Sequence, residues 1–290
     1  MEQLIKVLEL NQFGNTNHDF YVNTLKDHLA TSHLHIEKAH KHNFYATFIF
    51  THGTGTHVID FNSYEVKTGM VFLLYPGQAH SWELSADCEG LVFFHSREFY
   101  ETHYINESLG DYQFFSSILG QAAIFLDQEK QFEIVPLFKK VLSASTTDRP
   151  KQKLLIICIV TQIYIALERT MLSHDDNAAS INHVYYQKFL QFQKLVEQRF
   201  YKTKSANEFA KLLNITSKHL NRINKLIVNK TTSEIITDRV ILEAKRMLIH
   251  AKNNFSQVAD ELGYEEYSHF SKLFKNRTGL TPSEFSKQHI

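Results

Sequence analysis

The 290-residue chain contains little cysteine and little proline, two and four residues respectively. Neither Cys88 nor Cys158 stands in a Cys-x-x-Cys or other zinc-ligand spacing, which argues against a disulfide framework and a zinc finger. The first residues, MEQLIKVLELNQFG, carry acidic side chains and lack the cationic-then-apolar pattern of a secretory signal. We therefore expect a reduced, cytoplasmic protein.

Long hydrophobic runs are also lacking. The most apolar stretch, Leu154–Leu167, has 14 residues and includes a threonine and a glutamine, which is too short to span a bilayer. It lies within a predicted helix, 153–172, that is apolar on more than one face, and a second helix is predicted over 132–144. We expect no membrane partner. We expect instead a homodimer through residues 153–172, with a fully internal helix as the alternative.

Net charge is absent as well, because 31 basic residues balance 31 acidic ones. The balance hides an asymmetry: residues 186–290 hold 18 basic and 10 acidic residues, which leaves 13 basic and 21 acidic residues for the rest. An acidic half joined to a basic half indicates two domains with different partners, and a basic domain can bind a polyanion. Chance unevenness is the alternative. The polar stretch SHDDNAASINH between the halves lacks apolar periodicity and predicts a linker.

The acidic half contains short strands. FYATFIF, THVIDF, MVFLLYP, HSWEL and LVFFH are aromatic or β-branched and are separated by turn signals such as HGTGT and PGQ. This spacing predicts a sandwich or small barrel over residues 44–94.

The basic half contains a helical repeat. Four apolar residues at spacing i, i+3, i+4, i+7 recur 49 residues later: Ala206, Phe209, Ala210 and Leu213, then Phe255, Val258, Ala259 and Leu262. Breakers follow at Asn214 and Gly263, a second helix follows each breaker, and TTSEI at 231–235 matches TPSEF at 281–285. Each copy therefore predicts a helix-turn-helix.

The second helix of each copy buries apolar residues and turns polar ones outward. Their chemistry suits groove readout, since Arg and Lys bind guanine or phosphate, Asn binds adenine and hydroxyls bind phosphate. A solvated helix face is the alternative. The predicted contacts with double-stranded DNA are Lys218, Asn221, Arg222, Lys225, Tyr267, Ser268, Ser271, Lys272 and Lys275.

Ile236, Val240, Ala244 and Leu248 recur every four residues between the copies and predict one connecting helix of about twenty residues, roughly 30 Å long. Such a helix can hold two readers about one duplex turn apart, ~34 Å.

These residues carry a resemblance. Ala259–Leu262, Gly263, Tyr264, Phe270, Lys272, Phe274, Lys275, Gly279 and Pro282 are similar to the signature of AraC-type transcriptional regulators. The resemblance implies a double helix-turn-helix domain whose base-facing positions fall on Lys218, Asn221 and Arg222 in the first reader and on Tyr267, Ser268, Ser271 and Lys272 in the second. RNA polymerase is a further candidate partner.

The acidic half resembles the ligand-sensing, cupin-like domain of such regulators through HKHNFY, IDF, GMVFLLYPGQAHSW and LVFFHSREF. A small barrel can hold one small molecule. The predicted effector-binding side chains, placed near its mouth or lining, are His40, His42, Tyr45, Phe48, His80 and Trp82, with Trp82 and Phe48 as plain core residues in the alternative. No metal and no cofactor are expected, because His40 and His42 precede the FYATFIF strand and have no acidic partner nearby.

The predicted fold class is α+β and multidomain: a cupin-like effector-binding barrel (1–130), a helical dimerisation segment (131–175), a linker (176–185) and an all-α double helix-turn-helix DNA-binding domain (186–290). The predicted function is a ligand-responsive, sequence-specific transcription regulator with no catalytic residues. The effector itself is unknown. Two alternatives stay open: a metal-dependent cupin enzyme with an appended DNA-binding domain, and an effector-independent DNA-binding dimer.

Overall fold

The computed structural model describes residues 6–13, 19–31, 39–103, 108–116, 121–146, 149–173, 183–249 and 254–289. Within these ranges the chain divides into two compact units. The described residues up to 173 form the N-terminal unit, and those from 183 onward form the C-terminal unit.

Two five-stranded sheets build the N-terminal unit, in the orders β1-β3-β8-β5-β6 and β10-β7-β4-β9-β2. Their strands are β1 (Val7–Leu8), β2 (Phe20–Thr24), β3 (His40–His42), β4 (Tyr45–His52), β5 (Gly55–Ile59), β6 (Asn62–Val66), β7 (Met70–Leu74), β8 (Ala79–Leu84), β9 (Glu89–His95) and β10 (Ala123–Phe125). The β1–β3 pair is parallel and the other pairs are antiparallel. The predicted β-rich, cupin-like architecture is confirmed.

The central strand β4 faces two cores, because successive side chains of a strand point to opposite faces. Ala46 and Phe48 pack into the core between the two sheets. Tyr45 and Ile49 pack into a second core on the outer face of the second sheet, together with residues of the helices that cover it.

The helices of this unit are α1 (Leu25–Thr31), α2 (Arg97–Glu101), α3 (Gln128–Ser145) and α4 (Gln152–Ser173). A hydrogen-bonded chain ties α4 to the sheet: the Tyr164 hydroxyl lies 2.6 Å from His95 Nε2 and 3.4 Å from Thr47 Oγ1. His95 Nδ1 contacts the carbonyl oxygen of Ser96 at 2.9 Å, so Nδ1 carries the proton and Nε2 accepts one from Tyr164.

The helix that contains the apolar run of 14 residues is longer than that run, so the prediction that it is too short to span a bilayer is wrong. α4 has 22 residues, and its stretch Gln152–Met171 is long and apolar enough to cross a membrane by length and composition alone. Its inward face instead packs against α3 and the sheet, with Ile157, Val160 and Tyr164 at 0 % exposure. The outer face carries exposed Leu155, Cys158 and Ile165.

Seven helices build the C-terminal unit within its described residues: α5 (His183–Arg199), α6 (Ala206–Leu212), α7 (Ser217–Val228), α8 (Thr232–Leu248), α9 (Phe255–Glu261), α10 (Tyr267–Thr278) and α11 (Pro282–His289). α5 begins inside the range 176–185 that the sequence predicts as linker, and residues 176–182 of that range lie outside the described residues.

The repeat predicted from the sequence is present in the backbone. Asn214 and Gly263, which follow α6 and α9, have φ of 54° and 78°, and Asn229 and Gly279, which end α7 and α10, have φ of 53° and 81°. Asn and Gly are the residue types that tolerate this left-handed conformation. In each copy, both helices are therefore followed by a residue suited to the left-handed conformation.

The matching TTSEI and TPSEF segments form the same capping box. Thr231 Oγ1 accepts the Glu234 N–H at 3.2 Å while the Glu234 carboxylate accepts the Thr231 N–H at 2.7 Å. Thr281 and Glu284 repeat both bonds at 3.2 and 2.7 Å. The box fixes where α8 and α11 begin.

The connecting helix α8 has 17 residues, about 26 Å at 1.5 Å per residue. Arg239, 8 % exposed, attaches it to α5, because its Nε donates to Glu197 at 2.9 Å. Its Nη1 donates to Glu243 of α8 itself at 2.9 Å. The guanidinium also lies 4.0 Å from the Phe200 ring centroid.

Candidate DNA-binding and ligand-binding sites

The second helix of each repeat copy has one buried and one polar face. Leu220 and Ile223 of α7 are fully buried, as are Phe270 and Phe274 of α10. None of the nine predicted DNA contacts is buried, and five are exposed charged side chains: Lys218, Arg222, Lys225, Lys272 and Lys275. Within the described residues, no carboxylate lies within ion-pair distance of these four lysines.

Arg222 is held in place by a residue that the sequence analysis did not identify. Its Nη2 donates to the Tyr185 hydroxyl at 2.7 Å, and its guanidinium lies 5.4 Å from the Tyr185 ring centroid. Stacking on an aromatic ring restricts the guanidinium while leaving its other N–H donors available. No local sequence signal links the two residues, because 37 positions separate them.

Asn221 has a structural contact as well as an outward position. Its Oδ1 accepts the backbone N–H of Thr232 at 3.0 Å, which satisfies one of the free donors at the N-terminus of α8. One of the two lone pairs of its carboxamide oxygen is therefore used within the protein, and the NH2 group remains as a donor to a base edge.

Four histidines converge in the core between the sheets of the N-terminal unit. His40 and His42 lie on β3, His57 lies on β5 and His80 lies on β8, and each is at most 2 % exposed. β3 pairs with β8 so that His40 lies opposite His80, and β5 pairs with β8 so that His57 lies opposite Trp82.

His80 is the centre of this cluster. Its Nε2 lies 3.2 Å from His42 Nε2 and its Nδ1 lies 2.9 Å from His57 Nε2. Burial, and secondarily the charge of His40, lowers the pKa of His57 from 6.5 to about 3, so this imidazole is neutral at pH 7. Neutral imidazoles are ligands for divalent transition metals.

The nitrogen atoms of His40, His42 and His80 lie within 4.8 Å of one another and can hold a metal ion. The sequence predicts no metal, because His40 and His42 precede the FYATFIF strand. In the structure the pairing of β3 with β8 brings both histidines to His80 in spite of that position.

The predicted effector-binding side chains do not form one group. Four of them face the core between the sheets and are buried there: His40, His42, Phe48 and His80. The ring centroid of Trp82 lies 5.2 Å from those of both Phe48 and His80. Tyr45 lies in the other core, where its hydroxyl accepts a hydrogen bond from Arg97 at 3.0 Å. The prediction that groups Tyr45 with the others is corrected, because positions 45 and 48 of one strand face opposite ways.

A groove of about 830 Å³ lies between α3 and the β2/β9 side of the second sheet. Thr51, Glu89, Gln131, Phe132 and Lys139 are among its lining residues, and none of the predicted effector-binding side chains borders it.

Two family models match the chain: an AraC-like ligand binding domain over residues 28–97 and a helix-turn-helix domain over residues 209–288. The chain belongs to the AraC-type family of transcriptional regulators.

Curated relatives of this AraC-type regulator include the HTH-type transcriptional activator RhaS of Escherichia fergusonii. It is 22 % identical over 257 residues, which cover 84 % of this chain and 86 % of RhaS. The Msm operon regulatory protein of Streptococcus mutans is 26 % identical over 146 residues, 50 % of this chain and 51 % of that protein.

Among solved structures, ToxT of Vibrio cholerae with a bound unsaturated fatty acid is 14 % identical, with a TM-score of 0.41. The match covers 94 % of this chain and 97 % of ToxT. The two family models and the match to RhaS, not the structural likeness, show that the chain is a DNA-binding transcription regulator with a ligand-binding-type barrel and a helix-turn-helix domain.

Proposed function

We propose that the nine outward residues of α7 and α10 contact double-stranded DNA and that the two helices read two segments of one operator. The observation that carries the proposal is the repetition of the helix-turn-helix, with left-handed residues at matching positions and the same capping box in both copies. Two equivalent units joined by a helix of about 26 Å suit two readers on one face of a duplex.

Selection of bound sequences from random DNA, repeated at several salt concentrations, tests this proposal. The wild-type chain should select two segments about one helical turn apart. Arg222→Ala should relax base preference in one segment by about 1–3 kcal/mol, whereas Lys275→Ala should weaken binding evenly across sequences and reduce the salt slope by about one. Arg199→Ala is the matched control, because this exposed arginine lies on α5 and belongs to neither reader helix.

Equal affinity of the wild-type chain for all sequences would contradict specific readout. Asn221→Ala is a poor test of base contact, since it also removes the hydrogen bond to Thr232 N at the start of α8.

The proposal includes a homodimer through residues 153–172 of α4. Leu155 is 53 % exposed and Ile165 is 40 % exposed, and with Cys158 they stand at heptad-like spacing on the outer face. Ile165→Glu should shift the chain toward monomer in analytical ultracentrifugation. Phe132→Glu places the same charge at a 74 % exposed aromatic residue of α3 and should leave the oligomeric state unchanged.

Cys158 gives a direct readout of the same contact. The other cysteine, Cys88, is buried, so mild oxidation should form a disulfide-linked dimer through Cys158. Cys158→Ser should abolish that dimer, and a wild-type chain that stays monomeric in both assays would contradict the α4 interface.

We further propose that the barrel senses a ligand rather than catalysing a reaction. Support comes from the similarity over 84 % of the chain to an activator. A ligand that favours one arrangement of the barrel and the reader helices shifts DNA affinity only by its preference for that arrangement. Such a regulator would act in the cytoplasm, and RNA polymerase is its proposed protein partner. Ligand-dependent DNA affinity of the full chain tests sensing, and ligand-independent affinity would favour the constitutive dimer.

A further inference from the structure

The imidazoles at the centre of the barrel approach one another too closely for an organic molecule to lie between them. His42 Nε2 and His80 Nε2 are 3.2 Å apart, and the ring centroids of His40 and His80 are 4.2 Å apart. Phe44 stacks on His42 at 4.4 Å and 13°, which closes the far side of that ring. An organic effector would have to separate these rings, whereas a single ion would not.

The spacing fits a metal ion. Zinc binds imidazole nitrogen at 2.0–2.1 Å in tetrahedral sites, which places neighbouring ligand nitrogens about 3.3 Å apart. The pair at His42 and His80 already has this separation, and all three nitrogens of the set lie within 4.8 Å. Closing the set onto one ion therefore requires small side-chain rotations.

The second ring nitrogen of His80 supplies an outer contact of the kind that metal-binding histidines have. Its Nδ1 faces His57 Nε2 at 2.9 Å, which leaves Nε2, the atom near His42, to act as the ligand. Such outer partners fix the tautomer and orientation of a ligand ring. Within the described part of the chain, His57 Nδ1 has no hydrogen-bond partner, so the ring can adopt the tautomer that His80 requires.

We propose that His40, His42 and His80 bind one divalent transition-metal ion, with His57 as the outer residue that orients His80. Three nitrogen ligands favour zinc, cobalt or nickel ions over magnesium and calcium, which prefer oxygen. Three ligands also leave one coordination position open. Since β3 pairs with β8, the ion would connect the two strands through side chains as well as through the backbone.

Titration of the full chain, purified in chelator and then freed of it, tests the site. Isothermal titration with Zn²⁺ and the visible absorption of Co²⁺ should show one equivalent bound per chain, and Mg²⁺ should not bind. His80→Gln should abolish that equivalent, and His57→Phe should weaken it by about 10–100-fold. His52→Gln is the matched control, because His52 lies on β4 with a 63 % exposed side chain paired to Asp87, and the variant should bind as the wild type does.

X-ray absorption of the wild-type zinc complex provides a test that needs no variant, in case His80→Gln fails to fold. Three imidazole nitrogens at about 2.0–2.1 Å should be present in the first shell. The inference is overturned if the wild-type chain takes up no stoichiometric zinc, if folded His80→Gln binds as well as the wild type, or if sulfur atoms form the first shell.

Metal binding is measured without DNA, so its failure leaves the proposed DNA readout untouched. Measuring operator affinity with zinc present and with chelator present then separates two roles. If zinc changes the operator affinity of the wild type and His80→Gln removes that change, the ion is the sensed ligand. If zinc binds but the operator affinity is unchanged, the ion has a structural role in the barrel.

Discussion

Gly263 offers a test of how the second reader is held in place. It lies in the turn after α9 with φ of 78°, and a Cβ added there would lie 2.0 Å from the Tyr201 carbonyl oxygen and 2.7 Å from Lys204 Nζ. Lys204 Nζ itself donates to the carbonyl oxygens of Leu262, Gly263 and Tyr201. Gly263→Ala must therefore displace the segment between α5 and α6 from the turn of the second helix-turn-helix.

The magnitude follows from two separate costs. An alanine in the left-handed region costs about 1 kcal/mol, and forcing a methyl group into a filled contact costs about 1–3 kcal/mol. Gly263→Ala should thus lower the local free energy of unfolding by about 2–4 kcal/mol. Gly279→Ala is the matched control: its φ is 81°, but no atom lies within 4 Å of the added Cβ, so only the first cost of about 1 kcal/mol applies.

Amide hydrogen exchange of the full chain, resolved by mass spectrometry, separates these costs. Gly263→Ala should accelerate exchange in α9 and α10 about 30–1000-fold, Gly279→Ala about fivefold, and peptides of the N-terminal unit should exchange as in the wild type. Equal acceleration by the two variants would refute the close approach of Tyr201 to the turn.

Three further predictions concern buried polar groups. Tyr164→Phe leaves His95 Nε2 without its buried donor and should lower the stability of the N-terminal unit by about 1–3 kcal/mol. The double variant with His95→Leu should lose less stability than the two single variants added together. Urea unfolding, followed by the fluorescence of the single tryptophan, measures these losses. Burial lowers the pKa of His28 and His57 to about 3 and of His95 to about 4, so the unfolded chain takes up protons below pH 6.5 that the folded chain excludes. As the pH is lowered from 6.5 to 4, the same fluorescence assay, run with chelator, should show the free energy of unfolding decreasing by up to about 1.4 kcal/mol per pH unit for each of these histidines. A flat profile would contradict their burial in the neutral form. Arg239→Met should destabilise the C-terminal unit by about 1–2 kcal/mol, less than a fully buried pair would lose because its two glutamate partners keep 38 % and 29 % exposure; hydrogen exchange in α5 and α8 measures the loss.

The double helix-turn-helix could be predicted from the sequence because its determinants are local. Apolar spacing, a breaker and a capping box lie within a few residues of each other, so each can be identified without knowing the fold. Asn214 illustrates this, since it is identified as a breaker from the sequence alone and adopts φ of 54° in the turn before α7.

The error over Tyr45 could have been avoided from the sequence. Tyr45 and Phe48 stand three apart in a segment predicted as one strand, and residues of a strand share a face only at even separations. The same rule places His40 and His42 on one face, and it correctly does so for His80 and Trp82.

The histidine cluster and the Tyr185–Arg222 contact could not be predicted in this way. His42 and His80 are 38 residues apart, and only the pairing of β3 with β8 brings them together. Strand partners depend on how the whole barrel closes, and neither spacing nor composition specifies that. A helix face is set by its own sequence, whereas a site between strands is set by the register of its neighbours.

The two cores of the N-terminal unit share one strand, and this gives the barrel a direct route to α4. On β4, Phe48 points inward to lie 6.0 Å from His80, and the adjacent Thr47 points outward to lie 3.4 Å from the Tyr164 hydroxyl of α4. Phe48 and Thr47 share the backbone of β4, so a ligand at the histidines that shifts this backbone through Phe48 also moves Thr47. Tyr164 is fixed on its other side by His95 of the neighbouring strand β9, so a relative shift of β4 and β9 must change one of its two contacts. The helix proposed to pair two copies of the chain is thereby anchored to the strand that lines the proposed sensor.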